Sequence, residues 1–179
     1  MANGLHRYGR EALYTDLLAY QLYNNMLQQP RENSIAGVND EQQEIKWVVV
    51  HADSLNSFRM PRQNGMRRQG FFNSGYLYVT YNADKEKTAL LNTRGGSSVY
   101  VNGEPHTGDP YASGWLYIPV KLKKGLNEFY IRSGFRTTAS LIFPVKPVGL
   151  NTEDPTLPVV VLQNNNASLQ GAVVVINSS

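Results

Sequence analysis

Two stretches decide how this chain folds: Val99–Glu104 (VYVNGE) and Leu116–Arg132 (LYIPVKLKKGLNEFYIR). In the first, Asn102-Gly103 lies between β-rich flanks. A two-residue hairpin of the favoured hand needs positive φ at both central positions, and Asn-Gly meets that demand at least cost. In the second, Lys124-Gly125 separates two β-rich runs, with Gly125 suited to a left-handed position. The reading is a series of consecutive antiparallel strands from Val99 to Arg132, with hairpin turns at both dipeptides. No helix is expected between Leu116 and Arg132.

Working outward, Tyr76–Tyr81 (YLYVTY) alternates Leu77, Val79 and Tyr81 against Tyr76, Tyr78 and Thr80, the period of a strand with two distinct faces. Lys46–His51 (KWVVVH), Lys87–Leu91, Ser98–Val101 and Ala139–Val145 extend the series, many bounded by Gly, Asn, Asp or Pro. Short strands punctuated in this way predict an all-β antiparallel sandwich or barrel over residues 44–146. Trp47 and Phe129 are its expected large core residues. Residues 1–30 form the helical candidate, because Leu13, Leu17 and Tyr20, extended by Leu18, Leu22 and Met26, recur at spacings of three and four. Pro30 stops it, and the segment is expected to pack on the sandwich as one N-terminal α-helix. Arg31 to Gln43 is a polar surface excursion.

Residues 147–158 carry Pro147, Gly149, Asn151, Asp154, Pro155 and Pro158 and read as a linker. Residues 159–179 hold two apolar runs, Val159–Leu162 and Gly171–Asn177, expected as a β-hairpin buried on both faces. This hairpin is either the last pair of the sandwich or the start of a truncated second β domain.

Composition narrows the function classes. With 179 residues, 41% hydrophobic and 17% charged, the chain can bury a core without covalent staples. It has no cysteine, which excludes disulfides, thiolate metal sites and a cysteine nucleophile. No apolar run approaches the ~20 residues needed to span a bilayer as a helix. The formal net charge is only +3. The one dense basic stretch, Arg59, Arg62, Arg67 and Arg68, is either a solvated loop or an anion clamp.

Motifs for chemistry are sparse. There is no Gly-x-Ser-x-Gly elbow and no phosphate-binding Gly-x-x-x-x-Gly-Lys. His6, His51 and His106 are isolated in sequence, so no metal face and no cofactor is expected. Asp53 and Asp109 each stand at a loop start, where an aspartate either closes a turn or helps bind calcium. Thr107–Trp115 (TGDPYASGW) carries two aromatics. Tyr111 and Trp115 are candidate platforms for a sugar, with Arg59 and Arg62 as polar donors, although Trp115 also fits a core anchor.

The run VYVNGEPHTGDPYASGWLYIPVKLKKGLNEFYIRSG, Val99 to Gly134, resembles the galactose-binding-like jelly roll that accompanies many exported glycoside hydrolases and peptidases. The shared pattern is a strand ending in Asn-Gly, a loop, an aliphatic strand, and a Lys/Gly turn into an Asn-containing strand. The wider arrangement is similar to the N-terminal region of large bacterial exported α/β-hydrolase-type peptidases. The resemblance implies a non-catalytic accessory module of a larger exported hydrolase, binding carbohydrate or bracing the adjacent catalytic domain of the same polypeptide. It also implies a periplasmic, cell-surface or secreted location, with the leader replaced by an initiator Met. Two rivals stand beside it. One is a small polysaccharide-acting enzyme using Arg59 or Arg62 against a uronate. The other is a single-strand nucleic-acid binder stacking bases on Tyr76 and Tyr78, which the nearby Asp84 and Glu86 weaken.

Overall fold

The computed structural model describes residues 1–8, 14–38, 42–61, 73–156 and 170–178. In chain order the elements are β1 (Ala2–Tyr8), β2 (Tyr14–Asp16), α1 (Leu17–Tyr23), β3 (Ile35–Val38), β4 (Glu44–Lys46), β5 (Ser57–Arg59), β6 (Asn73–Ala83) and β7 (Lys87–Asn92). They continue with β8 (Gly96–Val101), β9 (Glu104–Thr107), β10 (Ile118–Leu122), β11 (Gly125–Ser133), β12 (Arg136–Thr138), β13 (Ser140–Ile142), β14 (Val148–Thr156) and β15 (Ala172–Asn177). Over the described residues the chain is all-β with a single helix. Among the described residues no helix is long and apolar enough to cross a membrane.

The main sheet runs β2-β1-β6-β11-β8-β9, and a second sheet runs β10-β7-β13. Strand alternation explains how they meet. Across β6, β11 and β8 the register aligns Val79, Phe129 and Val101 in one row and Leu77, Ile131 and Val99 in another. These rows share one face and pack against Ala89 and Leu91 of β7 and Ile118, Val120 and Leu122 of β10. The intervening row, Tyr78, Tyr130 and Tyr100, points to the opposite face. That face is not left to water. Leu18 of α1, Ala36 of β3, Ile45 of β4 and Trp47 cover it in a second core with Tyr76 and Tyr130. The Trp47 ring stands edge-on to Tyr78 and Tyr130, with centroids 6.3 and 6.4 Å away, a favoured aromatic geometry.

Asn102-Gly103 forms the expected hairpin: Val101 opposes Glu104, and the turn residues have φ of 51° and 90°. The structure corrects the second hairpin. Gly125 does take positive φ, at 90°, but β10 pairs with β7 and β11 pairs with β6 and β8. Lys123–Gly125 is therefore a corner that carries the chain from one sheet to the other. The buried Asn127 side chain holds that corner. Its Nδ2 donates to the Lys123 and Gly125 carbonyls at 2.8 and 2.9 Å, and its Oδ1 accepts from the Lys123 amide at 2.9 Å. The same Oδ1 accepts from Asn102 Nδ2 at 2.8 Å, tying the hairpin turn to the corner.

Four further expectations change. The helical reading of the N-terminal segment holds only for Leu17–Tyr23, while β1 and β2 occupy the chain before it. Asp16 sets this boundary by accepting from the Ala19 amide as the helix N-cap, while Tyr76 donates to its second oxygen. Lys46–His51 contributes only Lys46 to a named strand, although Trp47 is buried. The residues read as a linker form β14, which pairs with β15. Pro147 precedes that strand, and Pro155 falls at a shift of register between Asn151 and Thr156, positions where a missing N–H is tolerated. Val159–Leu162, the other half of the expected hairpin, lies outside the described residues. Burial on both faces is also not met: Val173, Val174 and Val175 of β15 are exposed.

Truncating Trp47 or Phe129 to Ala is expected to cost ~3–5 kcal/mol in denaturant titrations, the usual range for a buried large aromatic. Losses under ~1 kcal/mol would contradict the assignment of strand faces. Among the described residues, those beyond Val145 supply none of the buried side chains of the inter-sheet core. A chain ending at Val145 should keep its far- and near-ultraviolet circular dichroism. An unfolded product would place the β14–β15 ribbon inside the cooperative unit.

Candidate functional site: an aspartate-clamped aromatic loop

The connection from β9 to β10 carries Tyr111 and Trp115, and its backbone is closed by one aspartate. Asp109 is 1% exposed. Its Oδ1 accepts from the Ser113 amide at 3.0 Å and the Ser113 hydroxyl at 3.1 Å, and its Oδ2 accepts from the Gly114 amide. The Ala112 amide donates to the Asp109 carbonyl at 3.1 Å. This is turn closure by a side-chain acceptor, the non-metal reading of an aspartate at a loop start. The bonds to the carboxylate from Ser113 and Gly114 are charge-assisted, which makes them the stronger kind.

Neighbouring strands hold the loop from outside. Asn92, the last residue of β7, donates from Nδ2 to the Gly114 and Leu116 carbonyls at 2.7 and 3.0 Å. Arg94, between β7 and β8, donates from Nε to the Ala112 carbonyl at 2.9 Å, and its backbone makes a parallel bridge with Asp109. Asn151 of β14 donates from Nδ2 to the Trp115 carbonyl at 2.7 Å. Ala112 itself sits at φ 53°, a conformation that a side-chain-bearing residue holds only where its surroundings enforce it.

On this fixed frame Tyr111 is 90% exposed and Trp115 is 47% exposed. Neither is a core anchor. Arg59, the third expected site residue, is exposed on β5 opposite Arg136 of β12, and no hydrogen bond joins its side chain to the loop. Arg62, the fourth, lies outside the described residues. Sequence reasoning missed Arg94 and Asn92, whereas the turn-closing reading of Asp109 is the one the structure shows. The Asp109–Ser113 spacing is the one local signal; Asn92 and Arg94 are brought in by the fold.

The other residues weighed for chemistry are used structurally. Asp53 accepts from the Leu55 and Ser57 amides at 2.9 and 3.1 Å and pairs with Arg136. The Leu55 amide above all, with Ser57 and Arg136, holds its carboxyl below the usual range. Tyr76 is fully buried. Tyr78 is half-buried, donates to Glu128 at 2.7 Å, and its hydroxyl is pushed up to about 12, chiefly by burial. Neither ring is presented for stacking a base. Among the described residues no group of three or more His, Cys, Asp or Glu is placed to hold a metal ion.

A second surface lies on the other side of Asn151. A groove of about 470 Å³ runs between the smaller sheet and the β14–β15 ribbon, lined by Leu90, Tyr117, Ile142, Leu150 and Ile176 among others. Tyr117 donates to Glu153 at 3.1 Å across one end of it. Val148, Leu150, Val173, Val174 and Val175 of the ribbon are exposed. Comparison of the chain with family models, with curated proteins and with solved structures gave no match.

Asp109→Ala removes the acceptor for two loop amides and should cost ~1–3 kcal/mol, the penalty for buried donors left unpaired. Hydrogen exchange at the Ser113 and Gly114 amides should accelerate with it. An unchanged exchange pattern would show that the clamp does not hold the loop.

Proposed function

We propose that this chain is a non-catalytic accessory module of a larger exported hydrolase, a galactose-binding-like jelly roll that binds carbohydrate through the Tyr111 loop. One observation carries the reading: an almost fully exposed tyrosine on a loop whose backbone is fixed by a buried carboxylate. Sugar rings present apolar C–H faces and a polar rim, so their sites combine an aromatic plane with a few directed polar groups. A tyrosine ring has few rotatable bonds, and a fixed loop lowers the ordering cost of binding. Trp115, half-exposed at the far end of the same loop, offers a second apolar plane. The two antiparallel sheets and the Asn102-Gly103 hairpin support the jelly-roll assignment. Export and the link to a hydrolase rest on the sequence resemblance.

A second reading, bracing the adjacent catalytic domain of the same polypeptide, is favoured by the β14–β15 ribbon. Contiguous exposed apolar surface usually marks a contact with another protein surface. The two readings use different faces and are separable.

A glycan array probed with the wild-type chain and with Tyr111→Ala tests the proposal. Binding by the wild type that falls ~2- to 12-fold in the variant is expected, since an aromatic contact of this kind is worth about 0.5–1.5 kcal/mol. Binding that survives loss of the ring moves the site elsewhere. A blank array with the wild type removes the carbohydrate reading and leaves the bracing role.

A further inference from the structure

We infer that Arg94 makes the Tyr111–Trp115 loop a site for acidic sugars, with its guanidinium gripping a uronate carboxylate beside the aromatic rings. The inference deepens the carbohydrate reading of the same loop and rests on it. Arg94 Nε donates to the carbonyl of Ala112, the residue next to Tyr111, and its Cδ lies beside Gly114, the residue next to Trp115. The side chain therefore runs along the loop between the two aromatic positions, and it is exposed.

The Nε bond fixes the orientation of the guanidinium plane and leaves both terminal nitrogens as donors. Two parallel N–H groups at that end match the spacing of a carboxylate, a pairing that is planar, bidentate and specific to arginine. Among the described residues no acid forms an ion pair with Arg94. Asp109, its partner in the backbone bridge, spends its carboxylate on Ser113 and Gly114. Arg136, by contrast, is already paired with Asp53 and bonded to Ser57. Arg94 is thus a charge held in place by the fold with its recognition edge unspent. An aromatic plane, a second aromatic plane and one oriented cation form a set that suits a sugar ring bearing a carboxylate.

The test compares oligomers of galacturonate, glucuronate and mannuronate, each beside its methyl ester, which keeps the ring and removes the charge. Affinities are measured by calorimetry for the wild type, Arg94→Gln, Arg94→Lys and Tyr111→Ala. The wild type should bind at least one acid ~10-fold or more tightly than its ester, the usual strength of a charge-assisted pair, and the ratio should fall with added salt. Arg94→Gln should bring the ratio to about one. Arg94→Lys, which keeps the charge without the fork, should restore only part of it. Tyr111→Ala should weaken acid and ester alike. The acid-to-ester ratio is independent of any general loosening of the loop in the Arg94 variants. Equal binding of acids and esters by the wild type, or a ratio that survives Arg94→Gln, overturns the inference and leaves the carbohydrate reading standing. Failure of every uronate and ester to bind the wild type also overturns the inference, while the carbohydrate reading itself falls only if the glycan array is blank as well.

Discussion

The nine-residue antiparallel pairing of β6 with β11 is the constraint on which the rest of this fold depends. It runs unbroken from Gly75–Ser133 to Ala83–Gly125. Because side chains alternate across a strand, its register commits Leu77, Val79, Phe129 and Ile131 to one face and Tyr76, Tyr78 and Tyr130 to the other. A slip of one residue would exchange the two sets. The aliphatic face fits the smaller sheet, whereas the tyrosine face fits α1, the β3–β4 hairpin and Trp47. Each layer is thus selected by the chemistry of the face it covers. Tyrosine suits the outer layer because its ring can be buried while its hydroxyl reaches Asp16 or Glu128 at the margin.

From that spine, order passes to the loops through side-chain amides. Asn127 leaves β11 at the corner and binds Lys123, Gly125 and Asn102 at once, so the strand that enters β10's end of the sandwich and the hairpin tip of β8–β9 are fixed together. The opposite ends of β7 and β9 then converge on the aromatic loop, where Asn92, Arg94 and Asp109 take over. Exposed aromatic side chains on a mobile loop would spend their contact energy on ordering. Here the ordering is supplied by bonds that exist before any ligand arrives. The same architecture leaves the β14–β15 ribbon at the periphery, bonded to the site through Asn151 and Trp115 yet exposing its valines.

Much of this was legible in the sequence, and the failures have definite causes. The alternation in Tyr76–Tyr81 and the Asn102-Gly103 turn are local signals with local consequences, and both appear as read. Lys124-Gly125 signalled a reversal correctly, but turn chemistry does not state which sheet the next strand joins. The Leu13-Leu17-Tyr20 spacing suggested a longer helix, whereas Asp16 capping and pairing of β1 with β6 limit α1 to Leu17–Tyr23. Prolines and asparagines made β14 look like a linker because a bulged strand tolerates the residues that linkers favour. Tyr111 and Trp115 were identifiable as candidates from their loop. Arg94 was not, since its place beside Ala112 comes from the β7–β8 connection lying against the loop, a contact between distant segments that no local pattern encodes.

The claim on which function turns is that the Tyr111 loop is rigid while its ring is exposed. Backbone ¹⁵N relaxation of residues 109–115 in the free protein tests this most directly. Order parameters near 0.85, matching those of β11, are the expected result for a backbone held by Asp109, Arg94 and Asn92. Values below about 0.6 across the loop would show a flexible segment, and would contradict a pre-formed site.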